Sequence, residues 1–407
     1  MRGLSALARM ATRARVPGVP TRSRSWVLLV AVVLVALNLR GPIAAVAPVL
    51  GDVRGSIGIG GTAGSLLTTL PVLCFALAAP LVPALSARSG PDRAVLLGLA
   101  GIAAGTVLRS VDGFAAALAG TALIGLAITI GNVLVPVVVK RDFASAVGPV
   151  MGAYTAALAS GAALTAALTA PLAQALGGWR AALACWAALA VLAALAWMLA
   201  VPGRAASHEP AASTPPSRVW RSGIAWAVAL FLGAQSGLYY AVTAWLPTLL
   251  ADRAGYTAGA GGVAMALFQI VGVASTLAVP TLATRARDQR GLAVLVAALW
   301  TVTLGGLLGA PGMAVLWTVT GGLAQGAGIA LAFTLIVLRV HGLDTARHLS
   351  GMVQAVGYSL GAAGPLLAGA LHDATGGWSA PLVLLLGAAG ALAAAGAVAG
   401  RGTTIDR

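Results

Sequence analysis

The chain alternates long apolar runs with short polar gaps. About 20 consecutive apolar residues cross a bilayer as a helix. Twelve stretches approach or exceed that length: 26–49, 62–86, 94–111, 114–138, 147–174, 179–201, 222–248, 257–284, 291–308, 312–338, 349–371 and 379–399. The run from Gly291 to Leu338 carries no charge and is about twice what one span needs. Its Gly309-Ala310-Pro311-Gly312 cluster is a turn signal that splits it into a hairpin. The first span does not read as a cleavable signal peptide, because its apolar stretch is too long and eleven more follow.

Composition sharpens this pattern. Of 407 residues 59% are hydrophobic and only 9% charged, whereas a soluble domain carries about 25% charged residues. An ordinary soluble enzyme and a disordered chain are thereby excluded. The net charge of +15 does not mark a nucleic-acid binder, since the arginines sit in gaps between apolar runs. The 53 glycines suit helices that approach closely in lipid. Cys74 and Cys185 lie inside apolar runs and read as small hydrophobes. No cofactor or metal is expected.

The gaps also carry orientation. Segments 1–25, 87–93, 139–146, 202–221, 285–290, 339–348 and 400–407 hold 20 of the 25 Lys and Arg residues. The opposite gaps hold four, Arg54, Arg109, Arg180 and Arg253, and Arg40 lies within a span. The positive-inside rule then puts both termini in the cytoplasm of a multi-pass cell-membrane protein. The arginine-rich tail over 1–25 needs only anionic lipid as its partner, not nucleic acid.

One polar stretch, 202–221, separates six spans (26–201) from six (222–399), with a short tail at 400–407. The halves echo each other. Pro48 matches Pro247, Gly125-Leu126-Ala127 matches Gly322-Leu323-Ala324, and Gly177-Gly178-Trp179 matches Gly376-Gly377-Trp378, at offsets of 199, 197 and 199 residues. A near-constant offset predicts an all-α membrane fold of twelve helices in two parallel six-helix pseudo-repeats, the plan of major facilitator transporters.

Several segments carry a closer likeness. They are Leu37-Asn38-Leu39-Arg40-Gly41-Pro42, Leu67-Thr68-Thr69-Leu70-Pro71-Val72, Val135-Pro136 through Lys140-Arg141, Met151-Gly152-Ala153-Tyr154, Gln235-Ser236-Gly237-Leu238-Tyr239-Tyr240 leading to Ala244-Trp245-Leu246-Pro247, and Gln354 through Tyr358. Together they resemble the cyanate/2-nitroimidazole transporter branch of the major facilitator superfamily, over residues 26 to 390. The superfamily's loop between spans two and three usually reads Gly-x-Leu-x-Asp-Arg-x-Gly. Here Pro83 and Ala87 replace its first glycine and its acid, while Leu85, Arg88 and Gly90 remain. The resemblance makes Arg88, Gly90 and Arg93 candidates for a gating loop.

Arg40 is the exceptional residue. It lies 16 residues after Arg24 and 12 before Asp52, roughly 24 Å and 18 Å along a helix, so it sits near mid-depth. A charge there costs at least about 2.5–3.5 kcal/mol on insertion scales. Every Asp and Glu falls in a loop or tail, so the partner must be backbone carbonyls, water or an anionic ligand. The planar guanidinium suits a small oxyanion or carboxylate. The rival reading is an arginine that snorkels outward or ties up carbonyls freed by Pro42. The superfamily architecture implies that spans one, four, seven and ten line the centre, which adds Asn38, Asn132, Gln235, Tyr239, Tyr240 and Gln325 as candidates. Gln354 and Tyr358 on span eleven, and Gln269 on span eight, join them. Asn38 and Arg40 point about 200° apart on a regular helix, so both reach one cavity only if the Gly41-Pro42 site distorts the turn. Arg109, beside Asp112, reads as a snorkelling residue.

The expected function is secondary active transport of a small solute, with cyanate or a small organic anion favoured, by alternating access. The alternative is an efflux carrier for neutral or aromatic compounds such as nitroimidazoles, held by Tyr239, Tyr240 and the amides. No phosphate-cradling loop with Lys and Ser/Thr is present, so a gradient would supply the energy. A proton is the candidate coupling ion, although the lack of a mid-span acid argues against the usual carboxyl route. A monomer is expected. A membrane enzyme would need an intramembrane nucleophile, metal cluster or carboxylate pair, and a passive channel would not saturate.

Overall fold

The computed structural model of the protein describes residues 22–59, 61–201 and 216–405. Positions 1–21 of the expected basic tail, 202–215 of the expected linker and the last two residues of the 400–407 tail lie outside these. The described residues form helices and turns, with no strand among them.

Twelve long helices dominate. They are α1 (Arg22–Asn38), α2 (Gly61–Ala78), α3 (Pro91–Arg109), α4 (Phe114–Asp142), α5 (Val147–Ala175) and α6 (Ala187–Ala200). Then follow α7 (Gly223–Ala254), α8 (Ala258–Arg285), α9 (Arg290–Gly309), α10 (Ala314–Leu338), α11 (Leu343–Thr375) and α12 (Ser379–Ala399). Eleven stretches are long and apolar enough to cross a membrane. α11 alone of the twelve helices falls short, because Ser350, Gln354, Tyr358 and its glycines dilute its hydropathy. It is long enough, about 50 Å for its 33 residues. It packs against α7, α2 and α4, so much of its surface meets protein rather than lipid.

The packing map repeats. α1 lies on α5 as α7 lies on α11, and α3 on α4 as α9 on α10. α2 meets α4 as α8 meets α10, and α6 touches α1 and α3 as α12 touches α7 and α9. The all-helical fold is therefore a pair of six-helix pseudo-repeats. They meet along two main seams, α5 on α8 and α2 on α11.

The seams close at one end. There, Lys140 Nζ donates to the Val337 and Val340 carbonyls at 2.9 and 2.6 Å. Ser350 Oγ donates to the Val133 carbonyl and Gln354 Nε2 to that of Asn132, both at 2.9 Å. Thr155 Oγ1 donates to the Thr276 carbonyl at 3.2 Å. Phe75 packs on Tyr358 and Tyr154 edge-on to Phe333, with ring centres 5.3 and 5.8 Å apart. This is the end that carries the arginine-rich gaps, and it is called the basic end below. The C-terminal segment docks there too: Ile405 is buried and its N–H bonds the Arg339 carbonyl at 2.8 Å.

Candidate functional site

The first helix does not run straight through. Pro42 has no N–H to give and its ring crowds the carbonyl four residues back. α1 accordingly stops at Asn38, and a new four-residue helix starts at Gly41, with Pro42 in its first turn. Between them Leu39 bonds Ala36 at a tighter three-residue spacing, and Arg40 has φ −127° and ψ −29°. The break swings Arg40 off the helical path.

Arg40 lines a cavity of about 390 Å³ on the far side of the closed seam. Five helices wall it: α1 with Leu37, α5 with Thr155 to Leu164, α7 with Gln235 to Tyr240, α8 with Gln269 to Thr276, and α10 with Gln325 and Ile329. Among the described lining residues Arg40 alone is charged. It is partly exposed, because one side faces this void. Its electrostatic neighbours are the hydroxyls of Tyr240, Tyr358, Tyr239 and Tyr154, and no carboxylate is among them. The dipoles of four phenols temper the guanidinium but do not neutralise it.

Both pseudo-repeats contribute to this surround. Tyr154 comes from α5, and Tyr239 and Tyr240 from α7, with their two rings 5.2 Å apart. Gln269 Nε2 donates to the Tyr239 hydroxyl at 3.1 Å, and the same tyrosine stacks on Phe268. Gln235 is spoken for. Its Nε2 bonds the Gln325 carbonyl at 3.1 Å, and its Oε1 accepts from the buried Trp300 indole at 3.0 Å.

Other sequence candidates sit elsewhere. Asn38 is buried on the opposite side of α1 and donates to the carbonyls of Leu34 and Leu189, tying α1 to α6. The break at Leu39–Arg40 turns Arg40 but leaves Asn38 on the helix, so the two do not share a cavity. Asn132 and Gln354 lie at the closed α4–α11 seam rather than in the cavity wall. Tyr358 stands beside Arg40 but is fully buried behind it. The centre expected from spans one, four, seven and ten is thus walled here by α1, α5, α7, α8 and α10. α4 is pressed against α11 and withdrawn from the void.

The loop residues are distributed differently from the expectation as well. Arg88 and Arg93 are exposed at the basic end, and Gly90 turns the chain between them with φ +79°. The ion pairing in that region belongs to Arg141, which bridges Asp92 at 2.8 and 3.0 Å and Asp142 at 2.7 Å. Arg109 does not snorkel. It is 2% exposed and turns inward, while Asp112 faces out to Arg180. The sequence reading missed Ser160 and Thr276 in the cavity wall, whose short hydroxyls carry no helical-pattern signal.

Known proteins resemble this chain throughout. The model of the Major Facilitator Superfamily matches residues 28–363. The 2-nitroimidazole transporter of Escherichia coli (strain K12) is 37% identical over 88% of this chain and 91% of its own. The cyanate transport protein CynX of the same organism is 31% identical over 86% and 91%. In fold, the major facilitator transporter FucP, crystallised in an outward conformation, superposes with a TM-score of 0.75 at 13% identity, covering 92% of this chain and 98% of that one.

Proposed function

The chain belongs to the major facilitator superfamily and is a membrane transporter, not an enzyme; from that membership we propose that it carries a small anion, cyanate or a small organic anion, across the cell membrane by alternating access. One observation carries this reading: a guanidinium in the wall of the central cavity with no protein carboxylate against it. An anion in the cavity would supply the missing countercharge, and the fork geometry of arginine would orient it. The cavity's volume falls within the range of organic-ligand sites, about 300–1,000 Å³. That size favours a ring-sized or branched anion as well as the triatomic cyanate. The positive-inside bias makes the basic end cytoplasmic, so the closed seams correspond to an outward-facing state. Transport then requires the α5–α8 and α2–α11 seams to part at that end while the far end closes over the solute. A gradient would drive the cycle, with the proton as candidate coupling ion.

The aromatic wall supports a second reading. Tyr239, Tyr240 and Phe268 offer stacking faces to a flat neutral ring, as export of a nitroimidazole would require.

Uptake of radiolabelled cyanate and benzoate into proteoliposomes separates the two. On the anion reading, Arg40→Ala and Arg40→Lys both abolish saturable uptake while the proteins still insert and purify as folded species. Normal anion uptake by Arg40→Ala defeats the anion reading. Arg40-independent counterflow of 2-nitroimidazole would favour the second.

A further inference from the structure

Arg109 is a second buried guanidinium, and the binding site does not use it directly. It ends α3 at 2% exposure, with no carboxylate turned toward it among the described residues. Its one hydrogen bond among them runs from Nη1 to the Pro42 carbonyl at 2.7 Å, and its Nε and Nη2 have no partner. Burying such a group costs several kcal/mol, and an apolar side chain of similar size would fill the space more cheaply. The bond it makes falls at an informative place. In a continuing helix the Pro42 carbonyl would receive the Val46 N–H, but here that N–H reaches Ile43 instead. The neighbouring Gly41 carbonyl is held from another side by Thr165 Oγ1 of α5 at 2.9 Å. Two consecutive carbonyls, one and two residues beyond Arg40, are thus pinned by α3 and α5.

We infer that Arg109, with Thr165, is a positioning residue that holds the break in the first helix so that Arg40 faces the cavity. This rests on the reading of Arg40 as the anion's partner. The influence runs through the backbone, because Arg109 bonds the Pro42 carbonyl rather than Arg40 itself. A charged donor strengthens the hold, since hydrogen bonds from ionised groups are roughly twice as strong as neutral ones.

The test uses purified full-length protein in proteoliposomes, with cyanate and benzoate as probes, and phenylglyoxal labelling of Arg40 read by peptide mass spectrometry. R109L raises KM for the transported anion about tenfold, the scale of one well-aligned charge-assisted bond, and slows labelling at Arg40. T165V shifts both in the same direction by roughly threefold. R109K, whose ammonium can still reach the Pro42 carbonyl, restores both toward wild type. A variant that merely loosens the fold would lower yield and maximal rate and leave KM unmoved. Unchanged KM and labelling in R109L and T165V, with uptake still dependent on Arg40, overturn this inference alone. Anion uptake that survives Arg40→Ala overturns the reading of the site and this inference with it.

Discussion

At the scale of single residues, polar groups inside the bundle divide into those that face the void and those that bind helices together. Arg40 and Gln235 both line the cavity, yet their bonding differs. Gln235 links α7 to α9 and α10 with both ends of its amide, whereas the titratable groups around Arg40 are phenols rather than carboxylates. Replacing Gln235 with Leu leaves the Trp300 N–H, at 0% exposure, without an acceptor. An orphaned buried donor costs about 1–3 kcal/mol, so the unfolding midpoint of Gln235→Leu in detergent falls. Adding Trp300→Phe removes the orphan and recovers part of the loss. A double variant no more stable than Gln235→Leu contradicts this. Sequence alone singled out Arg40, because a lone charge inside an apolar run is hard to mistake. It did not separate Asn38, which ties α1 to α6, from the cavity-lining Gln235, since an amide tied to a carbonyl on another helix looks the same in a one-dimensional pattern.

At the scale of elements, two features of the helices shape the site. The first is the break at Leu39–Arg40, which the Gly41-Pro42 pair foretold as a distortion but not in direction. Its direction depends on partners distant in sequence, Arg109 and Thr165. The second is the close approach of α1 and α5. A Cβ at Gly161 would run into the Leu37 carbonyl, so only glycine lets these helices touch just before the break. Gly161→Val therefore overpacks the contact, at about 1–3 kcal/mol, and displaces the helix that presents Arg40. Thermal stability and anion uptake both drop. Gly387→Val, where an added Cβ meets open space, serves as the control and stays within about 0.5 kcal/mol of wild type. Equal effects of the two would refute the close-approach argument. α11 shows the limit of hydropathy from the other side. Its polar and small residues make it the least membrane-like of the twelve by composition, because it is shielded by α7, α2 and α4.

At the scale of the whole molecule, the pseudo-repeat was legible from recurring motifs, and the matched packing of α1–α6 and α7–α12 bears it out. The conformational state was not legible, because a carrier's sequence must be compatible with more than one state. The present state is held at the basic end by contacts that join the repeats. Lys140 is prominent among them, an ammonium seated on two carbonyls at the C-terminal end of α10, where the helix dipole favours a cation. If the latch contributes about 1 kcal/mol, Lys140→Met shifts the balance away from this state roughly fivefold. On the proposed outward-facing assignment, labelling of a cysteine placed at Ala159 in the cavity wall, in a background without Cys74 and Cys185, would slow for an impermeant thiol reagent added outside. Unaltered labelling would remove Lys140 from the latch.

Lys140 is also the only lysine in the chain. The protein thus owns a single ε-amine, and it joins the two pseudo-repeats at the end where the proposed cycle has them part. If the basic end is cytoplasmic as proposed, an acylating agent supplied from the cytosol would modify that amine, held here on two carbonyls, faster during excursions to the opposite state. The unmodified protein therefore carries its own chemical clock for turnover, one whose ticking can be read by mass with no label introduced.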